Sequence, residues 1–280
     1  MDKQSVAILG AKGMLGSDVL LACQDQKINA VPFDLPDFDI TNTNQLENAV
    51  SKASAVVNCA AYTNVEKAES ENDLAYKINA EAVSKLGQIA KRAHKWVLHI
   101  STDFVFDGSS KRPYVESDEP NPINAYGKSK LAGEQLLIES RCHHCIMRIE
   151  WTYGTYGRNF VTKLIEAAKN NRELKVVSDQ TGSPTATAEV AKVICRLLQR
   201  KPEGLFHFAN AGFISRFDMA KFVLDKLNLK VELNSCQSSD YKTAVKRPLN
   251  SCFNCDKIKA LLAEPIAPWQ VPLGKFLERL

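Results

Sequence analysis

Val6-Ala7-Ile8-Leu9-Gly10-Ala11-Lys12-Gly13-Met14-Leu15-Gly16 lies near the amino terminus and is the stretch that decides the fold. The apolar run at residues 6–9 predicts a buried strand, and the apolar run at residues 19–22 predicts a helix. Between them, the glycines permit a tight turn and a close approach of backbone to phosphate, while the helix amino terminus presents N–H groups to a pyrophosphate. Strand, turn and helix together predict a dinucleotide site formed by Gly10, Lys12, Gly13, Met14, Leu15 and Gly16.

Further apolar runs follow at residues 29–33, 55–58 and 96–100. Residues 71–93 carry apolar side chains at the helical period, which predicts a helix that crosses from one strand to the next. Strands joined by such helices form an open α/β sheet, and its ligands bind beyond the carboxyl ends of the strands. We therefore expect site residues directly after each predicted strand.

Two opposite charges bear on the choice of cofactor. Asp34 follows the second predicted strand, where a carboxylate could accept hydrogen bonds from an adenosine ribose and favour NADH. Lys12, inside the glycine turn, could instead meet the 2′-phosphate of NADPH, so NADPH or NADH stays open. Asp39 and Ile40 could lie near the adenine, although an N-cap role for Thr41 or Asn42 explains the local polarity equally well.

The residues after the third and fourth predicted strands are small or polar. Small side chains would let a cofactor lie against the backbone, which is the role predicted for Cys59, Ala60, Ala61 and Thr63. Thr102, just past residues 96–100, could donate a hydrogen bond to a carbonyl under reduction. Its hydroxyl could equally bond to its own loop backbone.

Tyr126 and Lys130 stand at i and i+4 on a predicted helix and therefore share one face. An ammonium beside a phenol favours the phenolate, so we expect the pKa of Tyr126 to fall towards neutral pH. Such a tyrosine is a candidate general acid. An exposed tyrosine over a lysine on a solvated helix face is the other interpretation of this spacing.

The bulk properties exclude several classes of protein. A chain of 280 residues with a formal net charge of +4 in mixed-sign segments has no basic stripe, so we predict no nucleic-acid partner. No stretch approaches the ~20 apolar residues of a membrane span, and the amino terminus lacks the pattern of a signal peptide. We expect a cytoplasmic protein without a membrane partner.

The cysteines include two pairs with C-x-x-C spacing, Cys142 with Cys145 and Cys252 with Cys255. Zinc sites use this spacing. The run after Cys145 resembles a buried strand, however, where free cysteine behaves as a small hydrophobe. We predict neither a zinc site nor disulfides, which are rare in a reducing compartment.

Several motifs occur in order along the whole chain and together resemble the dTDP-4-dehydrorhamnose reductase family of extended short-chain dehydrogenase/reductases. The glycine turn has the G-x-x-G-x-x-G spacing of tyrosine-dependent members. The other motifs are Asn58-Cys59-Ala60-Ala61-Tyr62-Thr63, Ser101-Thr102-Asp103-Phe104-Val105-Phe106, Tyr126-Gly127-Lys128-Ser129-Lys130-Leu131-Ala132-Gly133-Glu134, Arg148-Ile149-Glu150-Trp151-Thr152-Tyr153-Gly154, Asn159-Phe160-Val161, Asp179-Gln180-Thr181-Gly182-Ser183-Pro184-Thr185, Arg247-Pro248-Leu249-Asn250-Ser251 and Trp269-Gln270.

By this resemblance Thr102, Tyr126 and Lys130 form a catalytic triad. Tyr126 donates a proton, Lys130 binds the nicotinamide ribose and lowers the tyrosine pKa, and Thr102 polarises the keto oxygen. The residues that the resemblance assigns to the substrate are Thr102, Asp103, Trp151, Asn159 and Arg247. A guanidinium forms a fork that matches phosphate oxygens, so Arg247 would meet the diphosphate.

The resemblance also implies a fold and a reaction. It implies a doubly wound parallel sheet of Rossmann type, with six or seven strands, over residues 1–150. A smaller, discontinuous substrate lobe would take up most of residues 151–280, with some segments returning to the Rossmann domain. NADPH or NADH would reduce the 4-keto group of dTDP-4-dehydro-L-rhamnose, the dTDP-linked keto-sugar partner, to give dTDP-L-rhamnose.

Some positions depart from the family pattern. Some members bind Mg²⁺ through glutamates at a dimer interface, but the counterparts here are Asp18, the segment Ala188-Glu189 and Glu278. This ligand set looks incomplete, so no metal is predicted, while the resemblance leaves a homodimer open. Glu66 stands where aspartate is frequent, which would alter a contact on the substrate side.

Two alternatives to this reductase remain at the level of sequence. The fold is also used by a non-catalytic regulatory protein, the β subunit of methionine adenosyltransferase. A reductase of another nucleotide-linked keto-sugar is the second alternative, because the loops that would recognise the base carry no readable code.

Overall fold

A computed structural model describes residues 5–240 and 245–280 of the chain. Met1–Gln4, on which part of the expectation about a signal peptide depends, lie outside the described residues. Within the described ranges, no helix has both the length and the apolar character needed to cross a bilayer.

Strands and helices alternate along most of the chain. The strands are β1 (Ser5–Leu9), β2 (Asn29–Phe33), β3 (Ala55–Asn58), β4 (Trp96–Thr102), β5 (His144–Ile149), β6 (Thr152–Tyr153), β7 (Glu173–Val177), β8 (Thr181–Gly182), β9 (Thr185–Ala186), β10 (Gly204–Phe208), β11 (Ile214–Ser215) and β12 (Glu232–Cys236). The α-helices are α1 (Met14–Asp25), α2 (Thr43–Ser51), α3 (Asn72–Tyr76), α4 (Ala82–Arg92), α5 (Ala125–Ser140), α6 (Phe160–Asn170), α7 (Thr187–Arg200), α8 (Arg216–Lys226), α9 (Asp256–Leu262) and α10 (Gln270–Leu277). A π-helical turn, Lys77–Glu81, joins α3 to α4, so the predicted crossover helix at 71–93 has one wider turn inside it.

The central sheet has six strands in the order β2-β1-β3-β4-β5-β10, and each neighbouring pair is parallel. This confirms the predicted doubly wound α/β fold. β2 lies on one side of β1, and β3 lies on the other. A crevice at the carboxyl ends of β1 and β3 follows, because in such sheets the strand order reverses there.

Alternate residues of the strands feed two separate cores, because successive side chains of a strand point to opposite faces. Val6 and Ile8 of β1 pack with buried residues of α1, α7 and α9. Ala7 and Leu9 pack on the other face with residues of α2, α4 and α5. Helices therefore cover both faces of the sheet, as the continuous apolar runs of its strands require.

The part of the chain after residue 150 contributes to two regions. β10 pairs with β5 at the edge of the central sheet, and α7 packs beside α1. A third core contains Trp151 and Tyr153 with apolar residues of α6, α8 and α10. This distribution agrees with segments that return to the Rossmann layer, although the boundary between residues 1–150 and 151–280 stays a prediction.

The cysteines are all free thiols. Cys145 is buried in the core under α1, whereas Cys142 is buried in the core under α2 and α4. The two residues of this C-x-x-C pair therefore pack in different apolar cores rather than around a common centre.

A buried ion pair connects the central sheet to α5. Arg148 on β5 donates from Nε and Nη2 to the two carboxylate oxygens of Glu134, at 2.9 and 2.6 Å. Both side chains are 3% exposed. The guanidinium also lies 5.0 Å from the centroid of the Phe106 ring. Two parallel bonds between planar groups fix the orientation of α5 on the sheet.

Arg148→Met should lower the free energy of unfolding by about 3–5 kcal/mol, because it leaves the carboxylate of Glu134 buried without its partner. Arg92→Met is the matched control, since Arg92 forms an exposed ion pair with Glu47. The control should cost less than about 1 kcal/mol. Urea denaturation measures both, and equal losses in the two variants would contradict the anchoring role.

Candidate active site

A cleft of about 800 Å³ opens at the carboxyl ends of the central strands. The residues predicted at the cofactor all line it: Gly10, Lys12, Gly13, Met14, Leu15, Gly16, Asp34, Asp39, Ile40, Cys59, Ala60, Ala61, Thr63, Tyr126 and Lys130. Of the residues predicted at the substrate, the cleft is lined by Thr102, Asp103, Trp151 and Asn159 but not by Arg247. Predicted site residues from distant parts of the sequence thus line one cavity, whose volume is typical of small-ligand sites.

The glycine turn is shaped by close backbone contacts. Gly10 has φ +75°, and a Cβ there would lie 2.6 Å from the amide nitrogen of Ala60. A Cβ on Gly16 would overlap the carbonyl oxygen of Gly10, whereas one on Gly13 would lie 3.2 Å from that oxygen. α1 begins at Met14, and no side chain caps it. Its first N–H groups are therefore available to an anion.

Lys12 and Asp34 lie together at one end of the cleft. The Asp34 carboxylate accepts from the amide of Lys12 at 2.7 Å and from the amide of Leu35 at 2.7 Å. The Lys12 ammonium donates to the carbonyl oxygen of Leu35 at 2.6 Å. Neither charge neutralises the other in a direct ion pair within the described residues, so both remain able to act on a ligand.

Asp39 has a local structural role besides lining the cleft. Its carboxylate accepts from the amide of Thr41 at 2.8 Å. Asn42 caps α2, because its side-chain oxygen accepts from the amides of Asn44 and Gln45. The N-cap role that the sequence left open between Thr41 and Asn42 thus belongs to Asn42.

Tyr126 and Lys130 lie on α5, as the sequence predicted, and Thr102 is the last residue of β4. Asn124 caps α5 by accepting from the amide of Gly127 at 2.8 Å. Thr102 donates to Asp103 at 3.0 Å and accepts from the amide of Phe104 at 3.2 Å. The three predicted catalytic residues therefore share one wall of the cleft.

The expectation of a lowered tyrosine pKa is wrong. Burial raises the pKa of the Tyr126 phenol, the nearby charge of Asp103 adds to the increase, and a hydrogen bond with Thr102 only partly opposes it. The spacing of Tyr126 and Lys130 can be read from the sequence, but the burial of the phenol cannot. Desolvation disfavours the phenolate more than neighbouring groups favour it.

The ammonium of Lys130 is held by residues of β4. Its ammonium donates to the carbonyl oxygen of Ile100 at 2.7 Å and lies 3.4 Å from Nε2 of His99. Nδ1 of His99 lies 3.0 Å from the side-chain amide of Asn58. Burial lowers the pKa of Lys130 to about 8, although the charge of Glu134 opposes that change. The lysine is therefore still mainly charged at neutral pH.

Trp151 and the buried Asp103 line the substrate side of the cleft. Trp151 adopts φ 44° and so has a left-handed backbone. A Cβ on Gly182 would lie 2.5 Å from its ring. Burial raises the pKa of Asp103 and that of Glu150, which accepts from the amides of Ser183 and Phe253.

Two residues predicted at the substrate have other partners. Asn159 caps α6, donates to the carbonyl oxygen of Gly154 at 2.9 Å, and accepts from the amide of Thr162 at 3.1 Å. Its amide is therefore occupied within the protein. Arg247 forms an ion pair with Glu66.

Comparisons with known proteins agree with this geometry. The model of the RmlD substrate binding domain family matches residues 4–280. dTDP-4-dehydrorhamnose reductase of Aggregatibacter actinomycetemcomitans is 34% identical over 278 residues, which cover 94% of this chain and 95% of the relative. The chain belongs to the dTDP-4-dehydrorhamnose reductase family.

Solved structures of family members superimpose closely on the chain. dTDP-4-dehydrorhamnose reductase of Bacillus anthracis, in complex with NADP, has a TM-score of 0.95 and 35% identity, and the match covers 99% of this chain and 100% of the other. The Clostridium acetobutylicum protein has a TM-score of 0.94 and 35% identity, with 99% of both chains covered.

The cleft of this family member fits a dinucleotide. The contacts at Gly10 and Gly16 leave no room for a Cβ at either position, and no side chain caps the amino terminus of α1. Ser101 also lines the cleft, and its buried hydroxyl has no hydrogen-bond partner among residues 5–240 and 245–280. Buried polar atoms without a partner are rare, so a ligand atom beside Ser101 would account for it.

Phe104 and Arg216 are among the lining residues that were missed at the level of sequence. The ring of Phe104 packs edge-on against Tyr126, with 5.6 Å between centroids. Arg216 lines the cleft at the first position of α8, and its guanidinium carbon lies 3.5 Å from the centroid of a Trp151 ring. An isolated arginine at the start of a helix has no sequence pattern that would have revealed this position.

The counterparts of the metal ligands found in some family members, for which no metal was predicted, do not line the cleft. Asp18, Ala188 and Glu189 line a second cavity. The Asp18 carboxylate accepts from the hydroxyl of Thr187 at 2.5 Å, and Glu189 pairs with Lys192 at 2.6 Å. Within the part of the chain that the structure describes, no group of three or more His, Cys, Asp or Glu side chains could hold a metal ion.

Gly16→Ala should abolish measurable NADPH binding, because the new Cβ would overlap the carbonyl oxygen of Gly10 and displace the turn. Gly13→Ala is the matched control, since its Cβ would meet the same oxygen at 3.2 Å and needs only a small shift. Isothermal titration gives both dissociation constants. An unchanged constant for Gly16→Ala would show that this close contact is not needed for binding.

Proposed function

We propose that the chain catalyses the NAD(P)H-dependent reduction of the 4-keto group of dTDP-4-dehydro-L-rhamnose to dTDP-L-rhamnose. One observation carries the proposal: Thr102, Tyr126 and Lys130 line the same cleft as the glycine turn. The relatives are named for this reaction, and the B. anthracis relative was solved with NADP. The fit of the turn to a dinucleotide supports the same conclusion.

In this reaction a bound NADPH or NADH supplies the hydride. Gly10, Gly13 and Gly16 give its pyrophosphate access to the backbone and to the amino terminus of α1. Cys59, Ala60 and Ala61 leave room for it beside β3. Lys130, which lines the same cleft, binds the nicotinamide ribose.

Tyr126 donates its proton to the keto oxygen. Because burial raises its pKa, the phenol is fully protonated at neutral pH, which is the state that a proton donor requires. The single hydroxyl proton of Thr102, which points to Asp103 in the free protein, turns to the same oxygen and stabilises the negative charge that develops on it. Asp103 and Trp151 contact the sugar, and the side chain of Asn159 supports the wall through its cap of α6.

Cellular location and assembly form a second part of the proposal. We propose a cytoplasmic enzyme, because free thiols at all cysteine positions suit a reducing compartment. A homodimer is also proposed, and it rests on the family resemblance alone. Neither point affects the chemistry of the cleft.

The reaction is tested by turnover of a panel of dTDP-, UDP-, GDP- and CDP-linked 4-keto sugars with wild type and Tyr126→Phe. Wild type should reduce dTDP-4-dehydro-L-rhamnose fastest, and the variant should lose about 10²–10⁴-fold in kcat while keeping its affinity for NADPH. A different preferred sugar nucleotide would favour the second reductase alternative. Absence of turnover with the entire panel would favour the non-catalytic alternative.

The charges at the adenosine end generate a prediction on cofactor choice. Asp34→Asn removes the repulsion of a 2′-phosphate, worth a few kcal/mol at an effective dielectric of about 20, yet it keeps an acceptor for the turn. It should shift the ratio of kcat/KM towards NADPH by about 10- to 100-fold, and Lys12→Met should shift it towards NADH. Ratios that stay constant in both variants would place the 2′ position elsewhere.

A further inference from the structure

Arg216 is a fixed cation in the substrate half of the cleft. Its amide donates to the carbonyl oxygen of Gln180 at 3.1 Å, and Ser215 before it caps α8. Its guanidinium carbon lies 3.5 Å from the centroid of a Trp151 ring and 4.8 Å from that of the Phe160 ring. Stacking covers the flat faces of the guanidinium and leaves the N–H groups at its edge to form hydrogen bonds.

Those N–H groups have no partner among the residues that the structure describes. Among residues 5–240 and 245–280, no hydrogen bond from the guanidinium and no ion pair of Arg216 is present. Burial lowers its pKa to about 9, although the charges of Asp103 and Glu150 oppose that change. A half-buried cation whose donors have no partner among the described residues gains strongly from an anionic partner.

Helix stability does not explain an arginine at this position. Arg216 is the first residue of α8, where the positive end of the helix dipole disfavours a cation. Arg92, in the last turn of α4, shows the arrangement that stabilises a helix instead. A ligand is therefore the better explanation for the charge at residue 216.

Arg247, which the resemblance assigned to the diphosphate, differs from Arg216 both in its position and in the pairing of its guanidinium. It does not line the cleft, and its guanidinium is paired with Glu66. The two arginines are nevertheless close enough for the charge of Arg247 to lower the pKa of Arg216. An anion held by Arg216 would thus also be attracted by Arg247 without direct contact.

We propose that Arg216, stacked on Trp151, is the residue that binds the diphosphate of the sugar nucleotide. This inference rests on the proposed function, which gives the substrate a diphosphate at C1 and the reacting carbonyl at C4. These carbons lie on opposite sides of a six-membered ring. With C4 at Tyr126 and the sugar against Trp151, the diphosphate lies on the far side of the sugar from Tyr126, within reach of Arg216.

The competing role for Arg216 is that of a counter-ion for Asp103 and Glu150. Both carboxylates already have partners: Asp103 accepts from Ser251 at 2.5 Å and from Thr102 at 3.0 Å, and Glu150 accepts from two backbone amides. Neither forms an ion pair with Arg216. Its donors therefore serve an external anion better than either internal one.

The test compares the binding of dTDP and of thymidine by titration calorimetry in wild type, Arg216→Met, Arg216→Lys and Arg247→Met, each saturated with NADPH. Arg216→Met should weaken dTDP binding by about 10- to 100-fold and leave thymidine binding unchanged, since only the diphosphate loses its charged donor. Arg216→Lys should recover part of the loss, because it restores the charge without the fork. In turnover, KM for the sugar nucleotide should rise more than kcat falls. Unchanged NADPH affinity shows that each variant is folded.

Equal dTDP affinity in wild type and Arg216→Met would overturn the proposal, and so would an equal loss of thymidine affinity, which indicates a structural role. A loss confined to Arg247→Met would return the diphosphate to Arg247. The proposed function fails separately: dTDP binding that depends on Arg216, without reduction of dTDP-4-dehydro-L-rhamnose, refutes the reaction but not the anion site.

Discussion

The bidentate ion pair between Arg148 and Glu134 is the interaction on which the geometry of the site depends. Tyr126, Lys130 and Glu134 are spaced at i, i+4 and i+8 on α5 and therefore lie along one face of the helix. The pair attaches the third of these residues to β5. Since the helix is rigid over two turns, that attachment also sets how far Tyr126 and Lys130 project into the cleft. A buried pair adds little net stability, but its directional bonds specify one arrangement.

Close backbone contacts complete the placement of α5. A Cβ on Gly127 would overlap the carbonyl oxygen of Phe104, and a Cβ on Gly133 would overlap that of Asn79. The helix can therefore approach the end of β4 and the π-helical turn only because both positions are glycine. Asn79 in that turn also donates to the hydroxyl of Ser129 at 2.9 Å and so holds the same face of the helix. The motif around Tyr126 thus encodes the packing of the catalytic residues as well as their chemistry.

Local signals made the fold and the cofactor half of the cleft predictable from sequence. Apolar runs, glycines and the spacing of Tyr126 and Lys130 all act within a few residues, and the strands appear where the runs are. The substrate half depends on contacts between residues that are far apart in the chain, and no local sequence pattern predicts such contacts. The pairing of Glu66 with Arg247 spans 181 positions, and the stacking of Arg216 on Trp151 joins two motifs with no shared pattern. The prediction of a lowered pKa for Tyr126 was wrong for the same reason, because burial is a property of the whole fold.

Burial acts in opposite directions on the two titrating members of the triad, and the proposed chemistry uses both effects. Desolvation raises the pKa of Tyr126 and lowers that of Lys130 to about 8, since in each case it favours the neutral form. A phenol that holds its proton firmly is a poor acid towards water. It becomes an effective donor when hydride transfer places negative charge on an oxygen within hydrogen-bond distance, because in a dry site that charge is stabilised mainly by the nearest donors. Burial therefore keeps the proton on Tyr126 until hydride transfer begins. Proton transfer is in this way coupled to the reduction of the carbonyl.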